Sequence, residues 1–365
     1  MKPRGGRPFR IAFAGGGSGG HLYPQVAVAG EIRRLAPETE IFFVSSRGSI
    51  EEQLIPKSGY EVVLIPSGKL KGRSGLGLLK TLFSLFLSIF VCSWILFRRR
   101  PDLIFSAGGY AGAPFLVMGS VFGVRCEILE QNRRPGLANR WMAKFCSRIY
   151  VNFAASENSF PGRDTRVVGH PCRPEIETAR WPASGEGFTT NPFRIFVFGG
   201  SQGAVGINRR MTEASKFLKD LDLEILHQAG EADFERTKRD YADAGFSRVR
   251  LEKFIYEMSS AYRDAHLVVC RAGASSLAEL AAAGKAALLI PLVSKDRHQE
   301  YNAKEIESIG ASLAFPQNEL TGEALAKELR GLIHDRARLR ALAQQMAGLH
   351  QPEAAVRIAR GILEG

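Results

Sequence analysis

Short apolar runs alternate with helical patterns along the whole chain, and the alternation restarts near its middle. Ile11-Ala12-Phe13-Ala14 runs into GGGSGGH (Gly15 to His21), and Ile195-Phe196-Val197-Phe198 runs into GGSQG (Gly199 to Gly203), each ahead of a helical stretch. Short apolar strands alternating with helices imply a parallel sheet covered on both faces. Glycine has no Cβ to hold a ligand away, and the first amides of a helix favour an anion. The expected fold is therefore α/β, with two Rossmann-like domains of parallel strands facing a central cleft.

In the first half, strands are expected at Arg10–Ala14, Ile41–Ser45, Glu61–Ile65, Asp102–Ser106, Cys126–Leu129 and Arg148–Val151. Helices are expected over Pro24–Leu35, Ile50–Ser58, Leu76–Phe97, Ala113–Phe122 and Leu137–Phe145. The rhythm breaks between Val168 and Phe193, in a stretch rich in Pro, Gly, Ser and Thr. That places the boundary of a first domain at 1–172 and of a second at 173–351. Strands of the second domain are expected at Arg194–Phe198, Leu223–His227, Val249–Phe254, Leu267–Cys270, Ala286–Ile290 and Ser312–Phe315. A last segment, 352–365, is amphipathic, with Val356, Ala359, Ile362 and Leu363 on one face, and is expected to pack back on the first domain.

Charge distinguishes the two halves. Up to Cys172 there are 23 Lys and Arg against 11 Asp and Glu, whereas the remainder has 26 of each, so the net +12 belongs to the first half. A one-sided basic surface implies an anionic partner, either nucleic acid or a membrane. The stretch from Leu76 to Phe97 favours the membrane over nucleic acid. It carries an uncharged run of 17 residues from Thr81 to Phe97, flanked by Lys69, Lys71, Arg73 and Lys80 before it and by Arg98, Arg99 and Arg100 after it. That run is at the lower limit for a span, and strands of one sheet lie on both sides of it, so the expectation is an interfacial helix with basic anchors. No apolar core of a signal peptide precedes the first strand. The cysteines Cys92, Cys126, Cys146, Cys172 and Cys270 form no CxxC pair and are read as reduced packing residues, with neither zinc nor disulfides.

Gly15, Gly17 and Gly20 also satisfy the dinucleotide pattern G-x-G-x-x-G. No acid closes the second strand, where Val44-Ser45-Ser46-Arg47 stands instead, so NADP, met by Arg47, is the version that survives. The segment Arg271 to Glu279 follows a strand and opens a helix, so its amides and hydroxyls can hold phosphate and Glu279 can accept both hydroxyls of a ribose. Its alternative is a capping box of Ser276 with Glu279. Lys295 to Asn302 is a polar cluster at the C-terminal end of another strand, where open α/β sheets bind ligands. Asp220-Leu221-Asp222 has the look of a metal-binding DxD but lies away from these loops and is assigned to solvent.

The segments GGGSGGHLYP (Gly15 to Pro24), SAGGYAGAP (Ser106 to Pro114), EQNRRPGLAN (Glu130 to Asn139) and VVGHPCR (Val167 to Arg173) are followed by FGGSQGA, CRAGASSLAE and KDRHQEYNA (Lys295 to Ala303). In this order they resemble the MurG family of peptidoglycan N-acetylglucosaminyltransferases, which have the GT-B fold. The resemblance implies transfer of N-acetylglucosamine from UDP-GlcNAc to the muramoyl sugar of lipid I, the undecaprenyl-pyrophosphoryl-MurNAc-pentapeptide, giving lipid II for peptidoglycan synthesis. It implies a peripheral protein on the cytoplasmic face of the plasma membrane, in the company of other cell-wall synthesis proteins.

Carried over by motif, donor contacts would be Arg173, Ser201, Ile255, Ala274, Ser275, Ser276, Leu277, Ala278, Glu279 and Gln299, with Asn302 near them. Ser18, Gly19, Gly20 and Asn132 would complete the donor site from the first domain, and Gly17, Tyr110 and Asn139 would line the acceptor side. His21 would be the base or a donor to the diphosphate, and Glu130 would orient it or serve in its place. Leaving-group charge would be met by Arg173 and loop amides, with no cofactor and no metal. His170 stands where the family often has Asn, and His298 where it often has Gln. The same fold acting on another lipid acceptor, an NADP-dependent oxidoreductase and a non-enzymatic scaffold are the competing readings.

Overall fold

The computed structural model describes residues 7–15, 19–49, 51–66, 76–109, 112–177, 179–180 and 186–365. The chain divides into two units: Met1–Cys172 with Glu353–Gly365, and Arg173–Pro352.

Among the described residues of the first unit, seven strands form one sheet: β1 (Arg10–Ala14), β2 (Glu40–Ser46), β3 (Glu61–Ile65), β4 (Leu103–Ser106), β5 (Arg125–Glu130), β6 (Arg148–Val151) and β7 (Thr165–Val167). Their order is β3-β2-β1-β4-β5-β6-β7, and every pairing is parallel. Both faces are buried, which is why the strands read as continuous apolar runs. Ile11 and Phe13 face one core with Phe43, Phe105 and Tyr150, under the helix Gly19–Leu35. Ala12 and Ala14 face the other, under the helices Leu76–Arg99 and Gly112–Val121. Small side chains on that face of β1 permit a close approach: a Cβ on Gly112 would lie 2.9 Å from the Ala14 carbonyl oxygen.

The helix Ala354–Glu364 completes the first of these cores, burying Ile358, Ala359 and Ile362 with Leu22, Val28 and Ile32. Each isoleucine contributes about 2 kcal/mol on burial. Its last carbonyls, which a helix leaves unpaired, accept from arginines of the sheet. Arg148 Nη1 donates to Gly361 O at 2.7 Å and Arg125 Nη2 to the same oxygen at 3.2 Å. Buried Glu127 offsets the two guanidinium charges and accepts from Tyr150 Oη at 2.9 Å. Gly361 is required there, because a Cβ would meet that Tyr150 oxygen at 2.6 Å.

The helix Leu76–Arg99 carries the chain from β3 to β4, two strands of one sheet. Ser88, Cys92, Ile95 and Leu96 are buried, whereas Phe90, Trp94 and Phe97, at helical spacing on another face, are 58%, 63% and 67% exposed. Among the described residues no helix is long and apolar enough to cross a membrane. Lys69, Lys71 and Arg73 lie outside the described residues.

In the second unit the strands are β8 (Phe193–Phe198), β9 (Leu223–Gln228), β10 (Val249–Glu252), β11 (Leu267–Cys270), β12 (Ala286–Leu289) and β13 (Leu313–Ala314), in the parallel order β10-β9-β8-β11-β12-β13. One face packs under the helices Val205–Ser215, Gly322–His334 and Arg336–Gly348. In each sheet the order reverses beside the strand that precedes the glycine loop, between β1 and β4 and between β8 and β11. Ligands of open α/β sheets sit at the C-terminal ends of strands at such reversals.

Two details differ from expectation. Strand β7 was not foreseen, being a three-residue edge strand whose residues are half-buried or exposed and form no apolar run. The first helix begins at Gly19, ahead of Pro24, which falls inside it. All five cysteines are free thiols; Cys172 is half-buried and the others are buried. Burial pushes Cys92 and Cys126 up to about 12.

Candidate active site

At the reversal point of the first unit the loops after β1 and β4 touch backbone to backbone. Gly15 and Gly108 both have positive φ, and a Cβ on Gly15 would lie 2.6 Å from Gly108 O. A Cβ on Gly108 would crowd Asn139 Oδ1 at 3.0 Å and His21 Cε1 at 3.4 Å, so this glycine leaves room for both side chains. His21, in the first turn of its helix, holds Nδ1 2.9 Å from the Ala107 carbonyl oxygen. A carbonyl can only accept, so Nδ1 carries the proton and Nε2 is the basic nitrogen. Gln131 Nε2 donates to the same oxygen at 2.8 Å and lies 3.1 Å from His21 Nδ1. Gln131 Oε1 is 3.1 Å from Nε2 of His170, whose Nδ1 is 2.9 Å from Pro171 O and whose pKa burial lowers to about 4.

The hydrogen bonds of Glu130 stay within its own loop. Its Oε1 accepts from Asn132 N at 2.8 Å and Asn132 Nδ2 at 3.1 Å, and its Oε2 from Gly136 N at 3.2 Å and Asn139 Nδ2 at 2.8 Å. Burial pushes its pKa up and these four donors pull it back. The carboxylate folds the Glu130–Asn139 loop, and Gln131 is the neighbour in contact with His21. Glu130→Ala would strand four inward N–H groups, so a loss of roughly 3 kcal/mol in urea unfolding is expected. A loss under about 1 kcal/mol would sink this account of the loop. Asn139 Oδ1 is buried without a partner among the described residues. Gly17, Ser18 and Tyr110 lie outside the described residues, while Gly19 and Gly20 open the helix of His21.

At the reversal point of the second unit stands the helix Ala274–Ala283, with Gly273 as its N-cap. Ser276 is therefore inside the helix, and the capping-box alternative fails on position. Glu279 instead meets Arg173, whose Nε and Nη2 donate to Oε1 at 3.1 and 2.7 Å, and Tyr262, whose Oη donates to Oε2 at 3.0 Å. Burial raises the Glu279 pKa, and Arg173 and Tyr262 oppose the rise. Ala274 and Leu277 are buried, and Ser275, Ser276 and Ala278 are half-buried on the first turns of the same helix. Ser201 is exposed in the loop after β8, where Gly203 (φ +74) is obligatory because a Cβ would lie 1.9 Å from Ala229 O.

One of the groups that hold these loops, Gln228, was not singled out from the sequence. Gln228, at the end of β9, donates to Gly200 O at 2.9 Å and accepts from Ile255 N at 2.8 Å, joining the glycine loop to the Ile255 segment. Arg271 donates to Ile290 O at 2.8 Å, Pro291 O at 3.1 Å and Gln317 Oε1 at 2.6 Å. Asn302 Nδ2 donates to Ala272 O at 3.1 Å, and Gln299 Oε1 accepts from Leu292 N at 2.9 Å. The one available signal was position, a polar side chain at the C-terminal end of an apolar strand. Asp220 is not simply solvated: Arg330 donates to both its oxygens, and its pKa falls to about 2. Among the described residues no group of three or more His, Cys, Asp or Glu is placed to hold a metal ion.

Comparison with known proteins is consistent along the chain. Residues 11–151 match the glycosyltransferase family 28 N-terminal domain and residues 194–358 its C-terminal domain. A Myxococcus xanthus protein is 39% identical over 96% of this chain and 91% of its own length. One from Geobacter sulfurreducens is 38% identical over 95% of this chain and 97% of its own. Both carry the name UDP-N-acetylglucosamine–N-acetylmuramyl-(pentapeptide) pyrophosphoryl-undecaprenol N-acetylglucosamine transferase. The crystal structure of Acinetobacter baumannii MurG matches with a TM-score of 0.79 at 27% identity, covering 98% of this chain and all of that one. A putative UDP-N-acetylglucosamine 2-epimerase from Listeria monocytogenes, 13% identical, covers 98% of this chain and 96% of its own at a TM-score of 0.72, a likeness of fold alone.

Proposed function

The chain belongs to glycosyltransferase family 28, and from that membership we propose that it transfers N-acetylglucosamine from UDP-GlcNAc to the C4 hydroxyl of the muramoyl sugar of lipid I, forming lipid II. The observation that carries the reading is the pair Glu279 and Arg173 at the reversal point of the second sheet. A carboxylate suits the hydroxyls of a ribose and a guanidinium suits a diphosphate. Beside them, the N-terminal amides of the helix Ala274–Ala283 and the Ser201 loop offer further N–H groups to the phosphates.

In the reaction the acceptor oxygen bonds to the anomeric carbon while the bond from that carbon to the UDP oxygen breaks. An α-linked donor then gives a β-1,4 product. The acceptor's proton goes to His21 Nε2, and the electron pair of the broken bond leaves on UDP, whose negative charge Arg173 and the amides offset. Gly20 and Asn132 belong to the donor site, and Asn139 to the acceptor side. The protein works as a peripheral enzyme on the cytoplasmic face of the membrane, through the exposed face of the helix Leu76–Arg99. Family membership leaves the nicotinamide alternative without a supporting observation.

The test is label transfer from UDP-GlcNAc to a short-chain lipid I analogue in EDTA, with UDP-galactose and diacylglycerol as competing donor and acceptor. Labelled disaccharide on the lipid I analogue is expected, with neither competitor reducing it more than about twofold. Preferential labelling of diacylglycerol would move the protein to another acceptor, and dependence on added metal would end the proposal that Arg173 and amides suffice.

A further inference from the structure

Tyr262, on the helix Met258–Asp264, is fully buried and joins two parts of the second unit. Its ring stands edge-on to Phe196 at 5.5 Å and to Phe198 at 6.0 Å, both on β8, the strand that feeds the Ser201 loop. Its hydroxyl donates to Glu279 Oε2 at 3.0 Å. Burial and the neighbouring carboxylate raise the phenol's pKa far above its usual value, so it remains a donor at any working pH.

A carboxylate has about four acceptor positions. Arg173 fills two of them on Oε1, and Tyr262 fills one on Oε2. Both hydroxyls of a ribose need two positions, so one of the present donors has to yield. Arg173 is the donor able to yield: its side chain is 18% exposed, and a diphosphate offers its guanidinium another anion. Tyr262, packed against two aromatic rings with no exposed surface, stays. Once Arg173 has turned away, the phenol still fixes the rotation of the carboxylate.

We propose that Tyr262 is a positioning residue that sets the second unit's selectivity for a ribose over a deoxyribose, by holding Glu279 Oε2 while Arg173 exchanges from Glu279 to the diphosphate. The inference rests on the reading of Glu279 as the ribose acceptor.

The experiment compares binding of UDP and 2′-deoxy-UDP by calorimetry to the full-length wild type, Tyr262→Phe and Glu279→Ala. Phenylalanine keeps the ring packing and removes only the hydroxyl, and the ratio of the two affinities is unaffected by any loss of folded protein. The wild type is expected to favour UDP by about tenfold or more, as for one hydrogen bond to a charged group. Glu279→Ala should abolish the preference. Tyr262→Phe should cut it to within about threefold while kcat at saturating UDP-GlcNAc stays within about twofold, a split that a purely structural role would not produce. Full ribose preference in Tyr262→Phe, with the preference lost in Glu279→Ala, would overturn the role of Tyr262 alone. A wild type that does not distinguish the two nucleotides would overturn the reading of Glu279 and this inference with it.

Discussion

His21→Ala is expected to lower kcat by about 10²–10⁴-fold, the range for removal of a general base, while UDP binds as it does to the wild type. The reason lies in the proton inventory around the ring. The Ala107 carbonyl accepts from His21 Nδ1–H and from Gln131, which locks the imidazole in one tautomer with Nε2 as its basic nitrogen. A methyl group can neither take the acceptor's proton nor hold that geometry. The measurement is single-turnover transfer with saturating donor, alongside UDP calorimetry and a melting curve on the same preparation. Turnover within about tenfold of wild type in a folded variant would remove His21 as the base. Loss of UDP binding with loss of turnover would make it a diphosphate contact instead.

Replacing Phe90, Trp94 and Phe97 together by Asp is expected to release the protein from vesicles rich in anionic lipid, with partitioning reduced more than about 100-fold. Each aromatic side chain withdrawn from the apolar boundary forfeits about 2 kcal/mol, and each carboxylate added is repelled by the leaflet. The three stand on the exposed face of the helix Leu76–Arg99, next to Arg98, Arg99 and Arg100, so basic residues frame the apolar surface. Because the buried face of the same helix is untouched, thermal stability should move little. Sedimentation with phosphatidylglycerol vesicles reads the outcome, and transfer to a water-soluble acceptor should survive. Undiminished sedimentation would place docking elsewhere.

The sequence made the two sheets legible for a definite physical reason. A strand buried on both faces must be apolar at consecutive positions, as in Ile195-Phe196-Val197-Phe198, and its loop must be glycine-rich where backbones meet, as at Gly15 and Gly203. The edge strand Thr165–Val167 has no such requirement and left no trace. The Leu76–Arg99 helix was legible as apolar and interfacial, but which residues take which face was not, since Cys92 and Trp94 differ in burial far more than in hydrophobic character. The motif segments located His21 and Glu279, yet not what holds them. Tyr262 and Gln228 act on partners in other elements, and nothing local to either residue records such a pairing. Glu130 was recognised as part of a motif, but its four hydrogen bonds to Asn132, Gly136 and Asn139 were not legible, because adjacency in a motif does not say which way a carboxylate turns.

The helix Ala354–Glu364 also bears on biogenesis. It fills a core begun by Ile11 and Leu22, yet it leaves the ribosome only after all of Arg173–Pro352 has been made. The second unit is continuous in sequence and is free to fold during translation. The first is completed only afterwards, and until then the surface that Ile358 and Ile362 cover stays open while its basic, aromatic helix has already emerged. Premature contact with membrane or with other nascent chains is thus a hazard set by chain order, and the exposed interval lasts as long as it takes to synthesise the second unit.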